Sequence, residues 1–440
     1  MAVATRRLAA LGLAVGLGLA MSGCLQSDDS GGGDGSGASN EKTGDKKVTI
    51  LGAFGGDEQA AFEDALKDFE SESGIDIEYT ADQDYTTTIV QKVNSGQAPD
   101  IGLFPQPGGL LDLTDDEVPL EDVIDLDAIE QTLIPGFLEA ATKDGKVYGA
   151  PMRMAVKSIV WYPKPAYTDA GYPTEVASYQ DLLTLSKQIA DDGTPPWCMG
   201  WESDQATGWV GTDWLEEMVL RVGGPDVYDQ WVTHEIPFDD PTIVQALDEF
   251  GKIAKDPNMV LGGENAILNT GFADAMTPAF DPKPGCYMMR QGNFATGFFP
   301  DNIQADLDGT VGTFYFPHFD GGYDGDPVLG GGDLAAAFTA DDDDVKQVME
   351  YLTSDQFGGA WAQAGGWLSP HKTFDASQYA DETTRTIAAS AAEADVFRFD
   401  GSDLMPADVG SGTFWTGMVD WISGQSSEET LKAIDESWPQ

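Results

Sequence analysis

Val48-Thr49-Ile50-Leu51 is the stretch that decides the fold, because this short apolar run is typical of a buried strand and begins a regular alternation of elements. A helix with one apolar face follows and ends at Gly74. Alternating apolar residues over 75–79 predict a second strand, 84–94 a second helix, and 100–104 a third strand. Strand, helix, strand, helix, strand in this order predicts a parallel sheet with crossover helices.

A second region follows the first sheet. The stretches 146–151 and 158–162 predict strands that lead into it. The later elements expected from apolar periodicity are helices near 179–191, 212–222, 241–255 and 345–352 and strands near 288–290, 311–314 and 334–338. Thr212 is expected to cap the second of these helices, and Ser426 with Glu429 has the spacing of a capping box for the last helix of the chain.

The charge of the chain limits the class of partner. The 440 residues include 75 Asp and Glu but only 23 Lys and Arg, a formal net charge of −52. Because contacts to phosphate need Lys and Arg, nucleic acid and anionic membrane surfaces are excluded as partners. A solvated surface suited to high salt accounts for the acids, and an acidic pocket for a cationic ligand is the alternative.

The N-terminus predicts export and anchoring. Two arginines precede an apolar run that is too short to span a bilayer, and the run leads to Met21-Ser22-Gly23-Cys24. This tetrapeptide resembles a bacterial lipobox, in which the cysteine thiol receives a diacylglycerol. We therefore expect residues 1–23 to be a lipoprotein signal peptide, Cys24 to anchor the chain to the outer face of the cell membrane, and residues 24–46 to be a flexible tether. An ordinary signal peptide without lipidation is the alternative.

The chain length limits the number of domains, and the remaining cysteines indicate how they are used. About 390 residues follow the tether, too many for one ordinary core, so two domains are expected. In an exported protein, Cys198 and Cys286 favour a disulfide over a metal site or a redox motif. The three histidines have no close metal-ligand spacing, so neither a metal nor another cofactor is predicted.

Five short segments occur in a familiar order. They are Gly55-Gly56-Asp57 after the first strand, Ala98-Pro99-Asp100-Ile101 at the third, 144–151, 330–334, and 404–406 followed by Phe414-Trp415. In this order, beside a lipobox, they resemble the solute-binding proteins of carbohydrate ABC transporters, the maltose-binding-like family. The resemblance covers nearly all of residues 47–440, and the segment 196–220 is similar to the α-glucoside-binding branch.

The resemblance implies a fold and a function. The fold is α/β and periplasmic-binding-protein-like (type II), with two lobes joined by a hinge of crossing strands. We place lobe one at 47–155 and 286–335, and lobe two at 156–285 and 336–440. The implied function is not enzymatic: a monomer captures an oligosaccharide between its lobes and delivers it to the transmembrane permease subunits of an importer.

Three other functions stay open from the residues themselves. A secreted glycoside hydrolase needs only a pair of carboxyl groups, and acids are plentiful. A receptor for a cationic solute such as a polyamine would use the negative charge. A structural surface protein is the third alternative.

A sugar presents apolar C–H faces and a rim of hydroxyl groups, so its binding needs aromatic surfaces and planar charged donors and acceptors. Candidate ligand-binding residues on this basis are Asp57, Glu58, Gln106, Trp201, Glu202, Trp209, Arg290, Gly331, Asp333, Trp367 and Trp415. Residues that follow the first and third strands lie at the carboxyl edge of the sheet, where open α/β sheets bind ligands. The match of Asp57 and Trp415 to sugar-contacting residues comes from the resemblance. Structural roles stay open as well: a helix cap for Asp57, the core for tryptophans, and a salt bridge for Arg290.

Overall fold

The computed structural model of the protein describes residues 45–134, 137–394 and 396–439. The predicted signal peptide, Cys24 and nearly all of the predicted tether lie outside these residues. Among the described residues, no helix combines the length and the apolar character that a membrane span requires.

The strands of the described residues form three sheets. They are β1 (Lys47–Gly52), β2 (Asp76–Ala81), β3 (Ile101–Phe104), β4 (Thr142–Lys143), β5 (Lys146–Val147), β6 (Ala150–Val156), β7 (Ile159–Pro163), β8 (Met289–Arg290), β9 (Val311–Tyr315), β10 (Val328–Ala337) and β11 (Phe397–Phe399). The largest sheet has the order β11-β10-β3-β1-β2, and β6 also pairs with β10. β1 is parallel to β2 and to β3, as predicted, whereas β10 is antiparallel to β3 and β6. The other two sheets have the orders β8-β7-β9 and β4-β5.

The α-helices lie between and after these strands along the chain. They are α1 (Gly56–Ser73), α2 (Tyr85–Asn94), α3 (Pro107–Leu111), α4 (Leu126–Glu130), α5 (Phe137–Ala140), α6 (Lys164–Asp169), α7 (Tyr179–Asp191), α8 (Trp209–Val222), α9 (Gly224–Val232), α10 (Pro241–Ala254), α11 (Gly263–Asn269), α12 (Asp301–Gln304), α13 (Leu307–Thr310), α14 (Asp343–Leu352), α15 (Gly359–Ala364), α16 (Glu382–Glu393), α17 (Gly401–Leu404), α18 (Trp415–Ile422) and α19 (Ser427–Asp435). The predicted alternation of strands and helices over residues 47–104 is confirmed.

The sequence signals correctly predicted the end of α1 and the start of α19. Gly74 ends α1 in the left-handed region at φ 69°, and the Ser426 side chain accepts a hydrogen bond from the backbone N–H of Glu429, as its capping-box spacing predicts. The prediction for Thr212 was wrong. α8 begins earlier, at Trp209, and the Thr212 hydroxyl donates to the Trp209 carbonyl from inside the helix.

The strand β7 lies between two large apolar cores. Ile159 and Trp161 pack into the first, with β1, β3, α1 and α14, whereas Val160 and Tyr162 pack into the second, with α7, α8, α10 and α18. This division follows from strand geometry, because successive side chains point to opposite faces. The result is an α/β architecture, as expected, in which the six-stranded and the three-stranded sheet are separate.

The strand pairing adds a detail that bears on the lobe boundaries, which stay a prediction. β8 and β9, which belong to the range 286–335 assigned to lobe one, pair with β7 and not with the six-stranded sheet. α14 packs against β1 and β10, and α15 packs against α1, although both helices lie in the range 336–440 assigned to lobe two. The chain therefore passes between the two regions more often than the sequence pattern indicated.

Cys198 and Cys286 form the predicted disulfide, with 5.4 Å between their Cα atoms. Both cysteines are buried in the first core, and the bridge joins the segment before α8 to the segment before β8. The bond closes a loop between residues that are 88 positions apart. A loop of this length gives the bridge a large effect on the entropy of the unfolded chain.

We expect the Cys198→Ala/Cys286→Ala double variant to lose about 4 kcal/mol of the free energy of unfolding, because the unfolded chain regains the freedom of this loop. Urea unfolding followed by tryptophan fluorescence measures the loss. The wild type with and without reductant is the control, and reduction should lower the midpoint in the same direction. Equal midpoints for the variant and the oxidised wild type would contradict the expectation.

Candidate functional site

A cavity of about 280 Å³ lies over the antiparallel pair of β6 and β10. Arg153 and Ala155 of β6 line it, and their cross-strand partners Asp333 and Gly331 of β10 line it too. All four reach the cavity because alternate residues of a strand share one face and paired residues of neighbouring strands share it as well. We call these four residues the floor of the cavity.

One charged group stands at the Asp333 end of the floor. The Nη1 of Arg153 donates to the Oε1 of Glu58 at 2.9 Å, and its Nε lies 3.5 Å from the Oδ2 of Asp333. Its guanidinium group also lies 5.3 Å from the centre of the Phe54 ring and 5.2 Å from that of Trp361. We call Arg153, Glu58 and Asp333 the Arg153 cluster. Burial raises the pKa of Asp333 to about 6, although the nearby Arg153 opposes this shift.

A second charged group stands beyond the other end of β6. The Lys157 Nζ donates to the Oδ1 of Asp213 at 2.9 Å and also to Asp400, and all three side chains are at least nine-tenths buried. We call these residues the Lys157 cluster. Asp213 belongs to α8, and Asp400 follows β11, so the cluster joins three separate segments of the chain. The Oδ1 of Asp400 also accepts a hydrogen bond from the Ser402 hydroxyl at 2.8 Å.

Three buried carboxyl groups lie close together near Lys157. Asp213, Glu216 and Asp400 each place an oxygen within 4.8 Å of the others, the one such group of possible metal ligands among the described residues, and the Lys157 ammonium bonds two of its members. Burial raises the pKa of Asp213 and, further, that of Glu216. Burial disfavours the charged form of Asp400 too, but Lys157 and hydrogen bonds from the neighbouring carboxyl groups outweigh it and lower the pKa of Asp400. The three neighbouring carboxyl groups therefore differ in how strongly the site favours their ionised form, and Asp400 is the one that it favours most.

A further carboxyl group, that of the half-buried Asp403, lines the cavity near Lys157. Burial and the charge of Asp400 raise its pKa well above the ordinary value. A higher pKa favours the protonated form of a carboxyl group, which can both donate and accept a hydrogen bond. The polar lining therefore offers both kinds of partner to a bound molecule.

Aromatic side chains form the rest of the wall. Trp209 opens α8, lies 5.5 Å from the Lys157 Nζ, and packs against Phe272 at 5.2 Å and Phe294 at 6.1 Å between ring centres. Trp415, at the start of α18, and Phe54 also face the cavity. Flat apolar faces edged by charged hydrogen-bonding groups suit a molecule with the same alternation of apolar and polar surface.

Gly208 permits the close approach of α8 and α18 at this wall. Its φ is 118°, in the left-handed region, and a Cβ atom built on it would lie 2.2 Å from the carbonyl oxygen of Trp415. A larger residue would therefore strain the backbone and also separate Trp209 from Trp415.

The structure brings together six of the residues predicted from the sequence to bind a ligand. Those that line the cavity are Glu58, Gln106, Trp209, Gly331, Asp333 and Trp415. Glu58, in the first turn of α1, and Gln106 follow the carboxyl ends of β1 and β3, as expected for a ligand site of an open α/β sheet. Their contacts with a ligand stay a prediction.

Two predicted stacking residues are placed in the cores instead. Trp201 is 0% exposed, and its ring packs under α8 at Gly211 and beside Phe250. Trp367 is 1% exposed and packs against Phe357 and Phe374. Neither ring lines the cavity.

The other three predicted residues are also outside the lining. Asp57 is exposed in the first turn of α1, without a capping hydrogen bond, and the exposed Glu202 accepts a hydrogen bond from the backbone of Asp204. Arg290 is buried behind the wall, where its Nη2 donates to Glu217 at 3.0 Å and its Nη1 lies 3.8 Å from Asp213. The salt-bridge alternative for Arg290 therefore describes its contacts.

Sequence reasoning missed the two cations of the site. Arg153 and Lys157 belong to only 23 basic residues in the chain, and they lie between the predicted strands 146–151 and 158–162. If this interval is extended, their even spacing of four places them on one face. That scarcity and spacing were a usable signal. Asp400 and Asp403 had no such signal, because their neighbours in space are far away in sequence.

Comparison with known proteins identifies relatives over most of the chain. Residues 55–358 match the family described as bacterial extracellular solute-binding protein. The osmoprotective compounds-binding protein GgtB of Synechocystis sp. is 40% identical over 397 residues, which are 90% of this chain and 93% of that protein. The alpha-glucosides-binding periplasmic protein AglE of Rhizobium meliloti is 34% identical over 404 residues, 89% of this chain and 86% of that protein.

A solved structure shares the fold. A chitin oligosaccharide binding protein superposes with a TM-score of 0.74 at 18% identity, over 89% of this chain and 98% of the other. The expected two-lobed α/β fold of the type II periplasmic binding proteins is confirmed by this likeness. With the family match over most of its length and a relative 40% identical, the chain belongs to the family of bacterial extracellular solute-binding proteins.

Proposed function

We propose that the protein is the solute-binding component of an ABC importer, which captures an oligosaccharide in the cavity and delivers it to the permease, with α-glucosides as the favoured class. The observation that carries the proposal is the lining of the cavity. Trp209, Trp415 and Phe54 offer flat apolar surfaces, and the Arg153 and Lys157 clusters offer charged donors and acceptors beside them. A pyranose ring has apolar faces and a hydroxyl rim, so it matches both parts of this lining.

The choice of α-glucosides rests on the relatives. AglE is named for α-glucosides and GgtB for osmoprotective compounds, and both align with about nine-tenths of this chain. The segment 196–220, which resembles the α-glucoside-binding branch, contributes Trp209 and Asp213 to the cavity. These two side chains combine an aromatic face and an acid in the same wall.

A non-catalytic role fits the state of the carboxyl groups. Glu58 and Asp333 contact Arg153, and Asp213 and Asp400 bond to Lys157, so these four acids are engaged in ion pairs. A glycoside hydrolase instead needs one protonated carboxyl group and one free carboxylate on either side of the scissile bond. The related proteins are also named for binding and not for catalysis.

The proposal includes an anchored monomer outside the cell. Lipidation at Cys24 would hold the protein at the membrane, and a tether over residues 24–46 would let it reach the permease. The composition of the tether, rich in Gly, Ser and Asp, suits a flexible connection.

We expect an α-glucoside to raise the melting temperature of the protein by several degrees, because binding to the folded state alone adds about 2.7 kcal/mol at a ligand concentration of 100 Kd. Differential scanning fluorimetry against maltose, trehalose, sucrose, raffinose and spermidine measures the shift. Mannitol serves as the control for a general osmolyte effect. The melting temperature could instead rise with spermidine, lose this rise in molar salt, and stay unchanged with every sugar. This outcome would overturn the proposal in favour of a cation receptor.

We expect Trp209→Ala and Trp415→Ala each to weaken binding of the best sugar at least about tenfold, because each removes an apolar face from the cavity. Isothermal titration calorimetry measures the affinity. Trp438→Ala is the matched control, since Trp438 stacks on His234 and does not line the cavity. Unchanged affinity in both cavity variants would contradict the proposed site.

We expect Cys24→Ser to release the protein from the membrane, because the thiol that would carry the lipid is lost. Fractionation of cells that express the full chain, with labelled palmitate, measures anchoring and acylation. Ser22→Ala is the control because it keeps the cysteine and a small residue. Membrane retention and label in the Cys24→Ser variant would show that the anchor lies elsewhere.

A further inference from the structure

The Arg153 and Lys157 clusters lie at opposite ends of the cavity floor. Arg153 and Lys157 are four residues apart along one extended segment, so their Cα atoms are roughly 13 Å apart at the rise of a strand. Both side chains line the same cavity. Each of these two cations pairs with acids at its own end of the floor, so the charged side chains form two separate groups.

The floor between the two clusters has no polar side chain. Ala155 and Gly331 face each other in register there, and both line the cavity. Gly331 leaves open space, because a Cβ atom built on it would approach its nearest neighbours only to 3.7–3.9 Å. A ligand can therefore rest on this part of the floor, but can make charged hydrogen bonds only at its ends.

Each cluster has its own aromatic face. Phe54 lies 5.3 Å from the Arg153 guanidinium group, and Trp209 lies 5.5 Å from the Lys157 ammonium group. An aromatic face beside a charged donor and its acids is the combination that one sugar ring requires. The cavity thus has this combination at each of its two ends.

The volume of the cavity limits the length of the ligand. At about 280 Å³ it lies just below the range of roughly 300–1,000 Å³ that is usual for pockets that enclose drug-sized ligands. A chain of several sugar rings would have to extend out of the cavity, where neither cluster could reach its hydroxyl groups.

We infer that the cavity has two sugar subsites, one at the Arg153 cluster with Phe54 and one at the Lys157 cluster with Trp209, and that it selects ligands of the length of a disaccharide. This inference rests on the proposed function and sharpens it from oligosaccharides in general to short α-glucosides. Glu58 acts in the first subsite, and Asp403 acts beside Lys157 in the second.

The first experiment compares ligand length. Isothermal titration calorimetry of the wild type is performed with maltose, trehalose and sucrose, with maltotriose and raffinose, and with glucose by displacement of the best disaccharide. We expect the best disaccharide to bind at least tenfold more tightly than either trisaccharide and at least a hundredfold more tightly than glucose. A trisaccharide or glucose that binds as tightly as the best disaccharide overturns the inference but leaves the proposed function standing. Binding of none of these sugars overturns both.

The second experiment assigns the subsites. We expect Glu58→Gln and Asp403→Asn each to weaken disaccharide binding about tenfold, because each removes a carboxyl oxygen that can accept from a ligand hydroxyl group. Glucose, which fills one subsite, should be weakened by only one of the two variants. Weakening of glucose by both variants to the same degree would show a single subsite and overturn the inference.

Two further variants serve as a control and as a test of the floor. Glu63→Gln removes an exposed acid from α1 outside the cavity and should leave every affinity unchanged. Gly331→Ala fills the space between the clusters without a clash in the fold, so it should weaken disaccharide binding while the melting temperature without ligand stays the same. Full disaccharide affinity in Gly331→Ala would show that the ligand does not cross the floor and would overturn the inference.

Discussion

The antiparallel pairing of β6 with β10 is the constraint on which the rest of the structure depends. Within the six-stranded sheet β10 pairs with both β6 and β3, and β6 leads directly into β7 of the three-stranded sheet. The same pairing sets which residues form the cavity floor, because a shift of β6 by one residue would turn Arg153 and Ala155 away from the face that Gly331 and Asp333 share. The register of this strand pair therefore determines both how the sheets are connected and which residues form the cavity floor.

Burial of charge explains why the basic residues of the site sit where the segments meet. An unpaired ammonium group inside a protein is costly, so Lys157 requires acids from both α8 and the residue after β11. Breaking such a buried pair typically costs about 3–5 kcal/mol, and the cluster thus ties three segments to one arrangement. Arg290 extends this arrangement behind the wall, since it contacts both Asp213 and Glu217.

The sequence predicted what local periodicity and caps determine. The alternation over residues 47–104, the end of α1 at Gly74 and the cap of α19 at Ser426 all depend on neighbours within a few positions. The pairing of β8 and β9 with β7, the burial of Trp201 and the meeting of Lys157 with Asp400 depend on contacts between distant segments. The polar residues after Trp201 suggested exposure, but the ring packs against Gly211 and Phe250, which are distant from it in sequence. Glu58 and Gln106 were found because the edge of a parallel sheet is a local feature with a known consequence.

The electrostatics of the cavity differ from those of the surface, and this difference bears on the choice between a neutral and a cationic ligand. The chain has a formal charge of −52, yet two of its few cations, Arg153 and Lys157, line the cavity. Arg153 lies beside Glu58 and Asp333, and Lys157 is paired with Asp213 and Asp400. These paired cations disfavour a polyamine, because like charges repel at a binding surface. A neutral ligand rich in hydroxyl groups can instead accept hydrogen bonds from the cations and donate to the carboxyl groups, without leaving a charge unpaired.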